Sequence, residues 1–424
     1  MASSESAEKK LRIHSGFLAN LVAHRPAAAP RFFRRAVFCA SFAILSACSM
    51  PSFGPGARED SLSAPTTPVQ SSPLPGQGAD TIGTGPVKVA LILPLTQGAG
   101  QSAVGQSLRN AAELAISESG ATDITLLVKD DHSTPEGAKA ATQAALSEGA
   151  EIVLGPLFAG DVRAAGEVAR AASKPVIAYS TDMSAAARGV YLLSFLVESY
   201  VERIVDFAAS KGKKSIAVLA PENDYATVAT GALQQAAARR DMRVALIERY
   251  KPGAVAASAT HVAALGPQID CLFIPEQAAA MPEVAKALSA NGLDSRHVQI
   301  LGTGLWNDSR VLSLPALQGA WFAAPENAGF IAFSQRYRAK FGSDPTRVAT
   351  LAYDSVSLAA ALARTQGARR YSDEVLLNAT GFSGADGVFR FKPDGSNERG
   401  LSVLQINNGS TIVVSPAPRS LSGG

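Results

Sequence analysis

Cysteine is scarce in this chain, which has only three in 424 residues. Cys39 and Cys48 lie in a short apolar leader, so Cys271 is the single cysteine of the remaining chain. A disulfide framework is therefore excluded there, and so is a Cys-x-x-Cys metal or redox pair. Because free cysteine is usually buried, we expect Cys271, within the apolar segment 269–274, to be a small core side chain.

A surplus of basic residues is missing from everything beyond the leader. The whole chain has 39 Lys and Arg against 36 Asp and Glu, a formal net charge of +3. Residues 1–47 hold seven of the basic and two of the acidic side chains, which leaves a net charge of −2 on the rest. Nucleic-acid binding requires a clustered basic surface, so we expect no nucleic-acid partner.

Motifs that carry reactive chemistry are also lacking. The sequence around Ser383 fails the Gly-x-Ser-x-Gly pattern of hydrolases. Glycines at 98, 100 and 105 follow a predicted strand, but their spacing departs from that of a dinucleotide site. The consecutive Asp-Asp-His of 130–132 cannot converge on one metal ion. We therefore expect no enzymatic activity, no cofactor and no metal.

The leader has the order of a secretory signal. Arg34 and Arg35 precede the uncharged apolar segment 36–47, which is too short to span a bilayer as a permanent helix. It ends in Leu-Ser-Ala followed by Cys48, which resembles the lipobox of bacterial lipoproteins. That resemblance implies a lipid on Cys48 and a membrane-anchored, periplasmic protein, the outer membrane being slightly favoured because Ser49 is not Asp. An ordinary signal peptide with a chance cysteine remains the alternative.

A linker is predicted between the anchor and the folded part. The 38 residues after Cys48, up to Pro86, are rich in Pro, Ser, Gly and Thr and cannot bury enough apolar surface to order themselves. As a coil they would span roughly 35 Å, and fully extended about 115 Å. The chain therefore divides into an N-terminal extension with signal peptide (1–47), a lipidated Cys with disordered linker (48–86), and a folded body.

The body alternates apolar strands with amphipathic helices. Strands are predicted at 87–93, 124–128, 152–154 and 175–178, and in a second run at 215–219, 244–248, 271–274 and 299–301. Helices lie between them, among them 104–119 and 201–210. Two more helices follow at 330–341 and 346–364, and short strands near 388–391, 401–406 and 411–414 close the chain. Continuous apolar strands of this kind form parallel sheets covered on both faces. The two runs predict an α/β fold with two Rossmann-like lobes.

Candidate binding residues follow the strands. In open α/β sheets, ligands bind beyond the carboxyl ends of the strands. Hydroxyl groups and the free N–H groups of helix starts suit a carboxylate or phosphate there, and aromatic rings can wall a ligand. The candidates are Thr96, Gly160, Ser180, Thr181, Tyr225 and Trp306. Polar residues at such points also cap helices and form turns, and that alternative stays open for each.

Several segments together resemble a known family. They are the Val-Ala-Leu-Ile-Leu-Pro-Leu of 89–95 with Gly105, the Ala-Glu-Ile-Val-Leu-Gly-Pro of 150–156, the Lys-Pro-Val-Ile-Ala of 174–178 with Ser180 and Thr181, the Lys-Ser-Ile-Ala-Val of 214–218 with Tyr225, and residues 352–356 and 384–391. Their order and spacing resemble the Leu/Ile/Val-binding type of periplasmic binding protein over about 87–416.

That resemblance implies two lobes joined by a three-segment hinge, with a cleft that closes on a small ligand. The first lobe would be 87–194 plus 326–370, the second 195–325 plus 371–416, with 417–424 as a tail. Amino-acid binders of this type hold the ligand carboxylate after the third and fourth strands, where Ser180 and Thr181 match the second loop. The first loop departs, because Phe-Ala-Gly160 stands where a Ser is usual.

A second group with the same fold is also similar. Penicillin-binding protein activators are lipoproteins that contact a peptidoglycan synthase, and the lipobox, the long linker and the Gly-Thr-Gly-Leu-Trp-Asn of 302–307 resemble that group. Its usual helical-repeat domain is absent from this sequence. We therefore expect a lipid-anchored binding protein that closes on a small polar ligand for an ABC permease or for sensing, with synthase activation as the alternative.

Overall fold

The computed structural model describes residues 80–120 and 122–421. Cys48, the predicted signal peptide and most of the predicted linker lie outside this range. Within it, none of the helices combines the length and the apolar character needed to cross a membrane.

The first lobe is built on a six-stranded sheet. The strands up to the first crossing between lobes are β1 (Asp80–Ile82), β2 (Val87–Leu93), β3 (Thr96–Gln97), β4 (Gly100–Gln101), β5 (Ile124–Asp130), β6 (Val153–Leu154), β7 (Val176–Ala178) and β8 (Val190–Leu192). The sheet order is β1-β5-β2-β6-β7-β8, with β3 and β4 forming a separate small ribbon. All pairs in the sheet are parallel except β1 with β5.

Three helices connect these strands, and their starts are fixed by local side chains. They are α1 (Ala103–Ser119), α2 (Pro135–Ser147) and α3 (Ala159–Ala171). The Ser102 hydroxyl accepts a hydrogen bond from the Gly105 N–H and Thr134 accepts one from Gly137, so each caps its helix. Gly105 also has no room for a side chain, because a Cβ there would lie 2.0 Å from the Pro94 carbonyl oxygen.

The second lobe has a seven-stranded sheet. Its strands are β9 (Ser215–Pro221), β10 (Arg243–Tyr250), β11 (Cys271–Phe273), β12 (Gln299–Gly302), β13 (Trp321–Ala324), β17 (Ser402–Asn407) and β18 (Ser410–Ser415). Between β13 and β17 the chain forms three strands of a separate sheet, β14 (Phe382–Gly384), β15 (Gly387–Phe391) and β16 (Asn397–Arg399). The sheet order is β10-β9-β11-β12-β13-β17-β18, and β17 and β18 are antiparallel to their neighbours. Its helices are α4 (Val197–Ser210), α5 (Asp224–Arg239), α6 (Val255–Ala263), α7 (Met281–Ala290) and α8 (Ser309–Leu312).

Both sheets are buried on their two faces. In β2, Val89 and Leu91 belong to one apolar core while Ala90 belongs to another on the opposite face. In β9, Leu219 and Val218 divide in the same way between two further cores. This is the reason for the continuous apolar runs in the sequence. Cys271 is fully buried in β11, as predicted, and burial raises the pKa of its thiol to about 12.

The chain returns to the first lobe after β13. Helices α9 (Asn327–Phe341), α10 (Ala349–Thr365) and α11 (Asp373–Leu376) follow. Phe333 of α9 and Ala352 of α10 join the core that contains β2 and α1. On the surface, Arg336 of α9 forms an ion pair with Glu118 of α1 at 2.8 Å. This ion pair also holds α9 against α1.

The segment 371–399 differs from its predicted place. It was assigned to the second lobe, but Tyr371, Leu376, Phe389 and Phe391 all lie in the core of the first. Strands β14, β15 and β16 form a three-stranded antiparallel sheet, and the aromatic residues of β15 anchor it there. The second sheet receives the chain only at β17, so we infer that the third crossing lies at residues 400–401.

The predicted linker is also too long at its C-terminal end. Asp80–Ile82 forms β1, which pairs with β5 in the register Asp80 to Val128. The Arg109 guanidinium bonds the Asp80 carboxylate at 2.8 and 2.9 Å, and this contact holds the strand against α1. The composition of the segment hides this strand because it has only one strongly apolar residue, Ile82.

Candidate functional site

A cleft of about 700 Å³ lies between the two lobes. The segment from Thr181 to Ser184, which follows β7, lines it from the first lobe. The first turns of α4 and α5 line it from the second, Tyr225 among them. Two of the sequence candidates, Thr181 and Tyr225, thus come to one cavity from different lobes.

Ser180 lies behind the first-lobe wall. Its hydroxyl accepts a hydrogen bond from the Asp182 N–H at 3.1 Å, and the side chain is buried. Asp182 in turn accepts from the Ser184 N–H at 2.9 Å and caps a short 3-10 helix, Met183–Ala185. Hydrogen bonding from the Ser184 side chain, then from its N–H, lowers the pKa of Asp182, and the Arg163 guanidinium 3.8 Å away lowers it further. Ser180 therefore forms the turn that presents Thr181.

Tyr225 holds the second-lobe wall in place. Asn223 caps α5 by accepting from the Ala226 N–H at 2.8 Å, which puts Tyr225 in the first turn of the helix. Its hydroxyl donates to the Thr303 hydroxyl at 2.7 Å, just beyond β12. Burial raises the pKa of this phenol, so it stays a neutral donor. The ring is thereby fixed against one face of the cleft.

Glu198 is a cleft residue that the sequence analysis missed. It lies in the first turn of α4, and its Oε2 atom is buried without a hydrogen-bond partner among the described residues. Burial is the main cause that raises its pKa, and the carboxylate of Asp182 raises it further. The helix was predicted to begin at 201, so Glu198 was assigned to no element. An acid directly ahead of an apolar helical pattern was the available signal.

Thr96 takes part in a different network. Its hydroxyl donates to Asp130 Oδ2 at 2.6 Å and lies 2.8 Å from His132 Nδ1. Burial opposes ionisation of Asp130, but the hydrogen bonds from Thr96 and from the His132 backbone outweigh it and lower the pKa. These contacts tie together the loops after β2 and β5. Thr96 is not among the residues that line the cleft.

Gly160 and Trp306 are also absent from the cleft lining. Gly160 is the second residue of α3, whose N-cap residue Phe158 makes no side-chain hydrogen bond. Trp306 is fully buried in the second lobe, where its ring lies against the backbone of Gly302; a Cβ at that glycine would be 2.2 Å from the ring. The prediction of Trp306 as a ligand wall is therefore corrected, because the ring is a core side chain.

The family comparison covers most of the chain. Residues 86–411 match the model of a family described as periplasmic binding protein. The chain belongs to the periplasmic binding protein family. This confirms the resemblance found in the sequence, and the two sheets confirm the predicted α/β class. No curated protein matches the sequence.

Solved structures share the fold of this periplasmic binding protein at low sequence identity. A branched-chain amino acid ABC transporter protein from Rhodospirillum rubrum has 18% identity and a TM-score of 0.68, over 77% of this chain and 99% of that chain. A branched-chain amino acid substrate-binding protein from Streptococcus pneumoniae, in complex with isoleucine, has 21% identity and a TM-score of 0.54. That match covers 78% of this chain and 99% of that chain. A solute-binding protein of an ABC transporter from Rhodopseudomonas palustris, in complex with 3,4-dihydroxybenzoic acid, has 20% identity and a TM-score of 0.55. That match covers 79% of this chain and 97% of that chain.

A buried ionic cluster lies where this periplasmic binding protein crosses between its lobes. Phe195, in the first crossing, has the guanidinium carbons of Arg347 and Arg399 at 4.6 and 4.5 Å from its ring centre. Arg347 bonds the buried carboxylate of Asp386 at 2.6 Å, and Arg399 donates from Nε to the Ser194 carbonyl at 2.9 Å. The first crossing is thus linked by side chains to the strand that leads into the third.

Asp354 completes this cluster. Its Oδ1 accepts from the Ala385 N–H at 2.6 Å, while Oδ2 is buried without a hydrogen-bond partner among the described residues. Burial raises the pKa of Asp354 to about 7, although the nearby Arg399 charge favours the ionised form.

Within the range that the structure covers, no three His, Cys, Asp or Glu residues are grouped to hold a metal ion.

Proposed function

We propose that this protein is a lipid-anchored, non-enzymatic substrate-binding protein of the cell envelope, which closes its inter-lobe cleft on a small polar ligand for ABC-type uptake or for sensing. The observation that carries the proposal is that Thr181 and Tyr225, which belong to different lobes, line one cleft of about 700 Å³. A cavity of that size is in the range of small-molecule sites.

The mechanism follows from a ligand that contacts both lobes. Such a ligand binds more tightly when the lobes are together, and its differential affinity shifts the population towards the closed form. In this proposal the Thr181 hydroxyl and the Tyr225 ring, which line the cleft from different lobes, contact the ligand from its two sides. Amino acids and aromatic acids are the ligand classes to test first, because one solved structure of this fold holds isoleucine and another holds 3,4-dihydroxybenzoic acid.

The membrane location is part of the proposal. A lipid on Cys48 would hold the protein on the periplasmic side of a membrane, with the outer membrane slightly favoured by Ser49. The ligand would then pass to an ABC permease or be sensed in place. Activation of a peptidoglycan synthase by protein contact remains the other candidate, and the ligand experiment separates the two.

A thermal-shift panel on the full-length protein tests the proposal. Amino acids, aromatic acids and short peptides are added one at a time, with isoleucine and 3,4-dihydroxybenzoic acid included as probes. A ligand at 100 times its Kd should stabilise the protein by roughly 2.7 kcal/mol. If no compound shifts the melting temperature while a synthase co-purifies with the protein, the uptake function is wrong and the activator function is favoured.

A further inference from the structure

The C-terminal segment 416–421 runs from the second lobe to the first. It leaves β18 at Ser415, on the edge strand of the second sheet. Leu421, at its other end, is only 6% exposed, and its carbonyl oxygen accepts a hydrogen bond from Arg390 Nη1 at 2.8 Å. Arg390 is on β15, whose aromatic residues lie in the core of the first lobe. The segment is therefore fixed to both lobes.

Arg203 of α4 holds the start of this segment. Its Nη2 atom donates to the Ser415 hydroxyl at 2.6 Å, and the Pro416 carbonyl oxygen lies 3.5 Å from the same nitrogen. Its Nε atom donates to the Leu401 carbonyl oxygen at 2.8 Å, at the third crossing. One guanidinium of the second lobe thus bonds both the segment and a crossing, because its donors point in different directions.

The middle of the segment lies on two of the crossings. The Ala417 N–H donates to Glu326 Oε1 at 3.4 Å, and Glu326 lies between β13 and α9, in the second crossing. Pro418 covers Gly400 in the third crossing, where a Cβ would lie 3.1 Å from the Pro418 carbonyl oxygen. The segment therefore passes between the lobes beside the chain that connects them.

Both the segment and its binding partner are prepared for this contact. Pro416 and Pro418 each have a fixed φ, so the free segment has fewer conformations to lose when it binds. Arg390 is held before Leu421 reaches it, because its Nε donates to Glu398 at 2.9 Å and its Nη1 also donates to the Ala379 carbonyl oxygen at 3.1 Å. Leu421 therefore meets a donor that is already in place.

The far end of the segment is held only by noncovalent contacts, which distinguishes it from the crossings. Six residues reach at most roughly 20 Å when fully extended. A rotation of the lobes that carries Arg390 farther than this from Ser415 must detach Leu421 and expose its side chain to water. Such conformations are therefore disfavoured while the contact stands.

Building on the proposed function, we propose that residues 416–421 are a detachable fourth link between the lobes, which restricts their rotation about the three crossings. While the link is attached, the lobes stay near the arrangement seen here. Its release allows a wider range of lobe positions and so shifts the balance between open and closed forms.

Two spin labels, one on each lobe, measure this restraint. Lys139 of α2 and Lys286 of α7 are exposed, and labels are attached through Lys139→Cys and Lys286→Cys in a full-length chain whose three native cysteines are changed to alanine. Pulsed electron paramagnetic resonance on the ligand-free protein gives the distribution of distances between the labels. A chain that ends at Ser415 should show a second distance population above about 10%, the upper end for a minor conformation.

Leu421→Asp should broaden the distribution in the same way, because it puts a charge at the buried end without shortening the chain. Arg419→Gln is the matched control at an exposed position of the same segment, and it should keep the wild-type distribution. If circular dichroism shows that the shortened chain does not fold, Leu421→Asp decides. A wild-type distribution in the folded variants that lack the Leu421 contact overturns the proposed link, and so does equal broadening in Arg419→Gln.

This measurement needs no ligand, so its failure is distinct from failure of the proposed function. Closure is wrong if a compound that raises the melting temperature leaves the label distance of the wild-type protein unchanged. In that case the shortened chain and Leu421→Asp still decide whether the segment restrains the lobes.

Discussion

The guanidinium carbon of Arg399 lies 4.5 Å from the centre of the Phe195 ring. Phe195 belongs to the first crossing between the lobes and Arg399 ends the strand before the third, so this contact joins two crossings directly. Arg399 is only 5% exposed, and its Nη1 and Nη2 atoms have no hydrogen-bond partners among the described residues. Its charge is therefore balanced by Asp386 and Asp354 and by the aromatic faces around it.

We expect Arg399→Met to destabilise the protein by about 3 kcal/mol, because it leaves buried carboxylates without their neighbouring charge. Urea unfolding followed by circular dichroism measures the change. Arg369→Met is the control: Arg369 and its partner Glu374 are both largely exposed, and the variant should differ from wild type by less than about 0.5 kcal/mol. Equal stability of the two variants would show that the hinge charge is dispensable.

Asp131 should make the free energy of unfolding fall as the pH rises. Its side chain is fully buried, which raises its pKa from 3.8 to about 7, and the carboxylates of Asp161 and Asp130 add to the shift. The folded state therefore keeps this proton over a wider pH range than the unfolded chain does, and the free energy of unfolding falls as the pH rises from about 4 to about 7.

Asp131→Asn should remove that contribution. The difference in unfolding free energy between pH 5 and pH 8 is expected to shrink by about 2 kcal/mol relative to wild type. Urea unfolding at the two pH values measures it, and Asp344→Asn, at an exposed position, should behave as wild type. An Asp131→Asn protein with the full wild-type pH dependence would assign the effect to other groups.

Ser180 and Thr181 are adjacent but should respond differently to mutation. Thr181 lines the cleft, so Thr181→Ala is expected to weaken binding of the ligand found in the panel by about three- to tenfold. Ser180→Ala removes the hydrogen bond to the Asp182 N–H and should cost about 1 kcal/mol of stability with a smaller loss of affinity. Calorimetry and thermal melts separate the two effects. A larger affinity loss in Ser180→Ala would place Ser180 at the ligand.

Trp306→Ala tests the corrected role of this ring. Loss of a fully buried tryptophan should destabilise the protein by about 3–5 kcal/mol. The remaining tryptophan, Trp321, packs edge-on against Phe207 at 4.9 Å and reports unfolding by fluorescence. If Trp306→Ala kept its stability but lost ligand binding, the original interpretation of Trp306 as a cleft wall would be restored.

Cys48→Ala tests the lipid anchor. The variant should move from the membrane fraction to the soluble fraction of the periplasm, and it should no longer incorporate radiolabelled palmitate. Cys271→Ala is the matched control, because Cys271 is a buried core thiol and its loss should leave both readouts unchanged. Continued membrane association and labelling of Cys48→Ala would remove the anchor from the proposal.

The sequence predicted elements best where local periodicity decides the structure. Strand β2 was predicted at its exact bounds, and α1 within one residue, since buried runs and amphipathic spacing are local signals. It failed where long-range contacts decide. Strand β1 exists only because β5 offers an open edge, and 371–399 stays in the first lobe because Phe389 and Phe391 fill its core.

The same distinction applies to the cleft. Thr181 and Tyr225 were predicted as ligand contacts because the carboxyl ends of parallel strands are a general location for ligands, and both residues line the cleft. Glu198 was missed because the helix after the first crossing was predicted from 201, whereas α4 starts at Val197. Trp306 was misassigned because exposure of an aromatic ring depends on which backbone it packs against, and here that is Gly302.

Strand β1 also determines where a tether would pull. In the first sheet, β1 is at one edge and β8 at the other, with four strands between them. If Cys48 carries a lipid, tension from a membrane would reach the described chain at Asp80, where the β1–β5 pairing and the Asp80–Arg109 ion pair would resist it. The crossings begin beyond β8, at the opposite edge of the sheet, so a lipid anchor would load the first lobe and leave the second free to move.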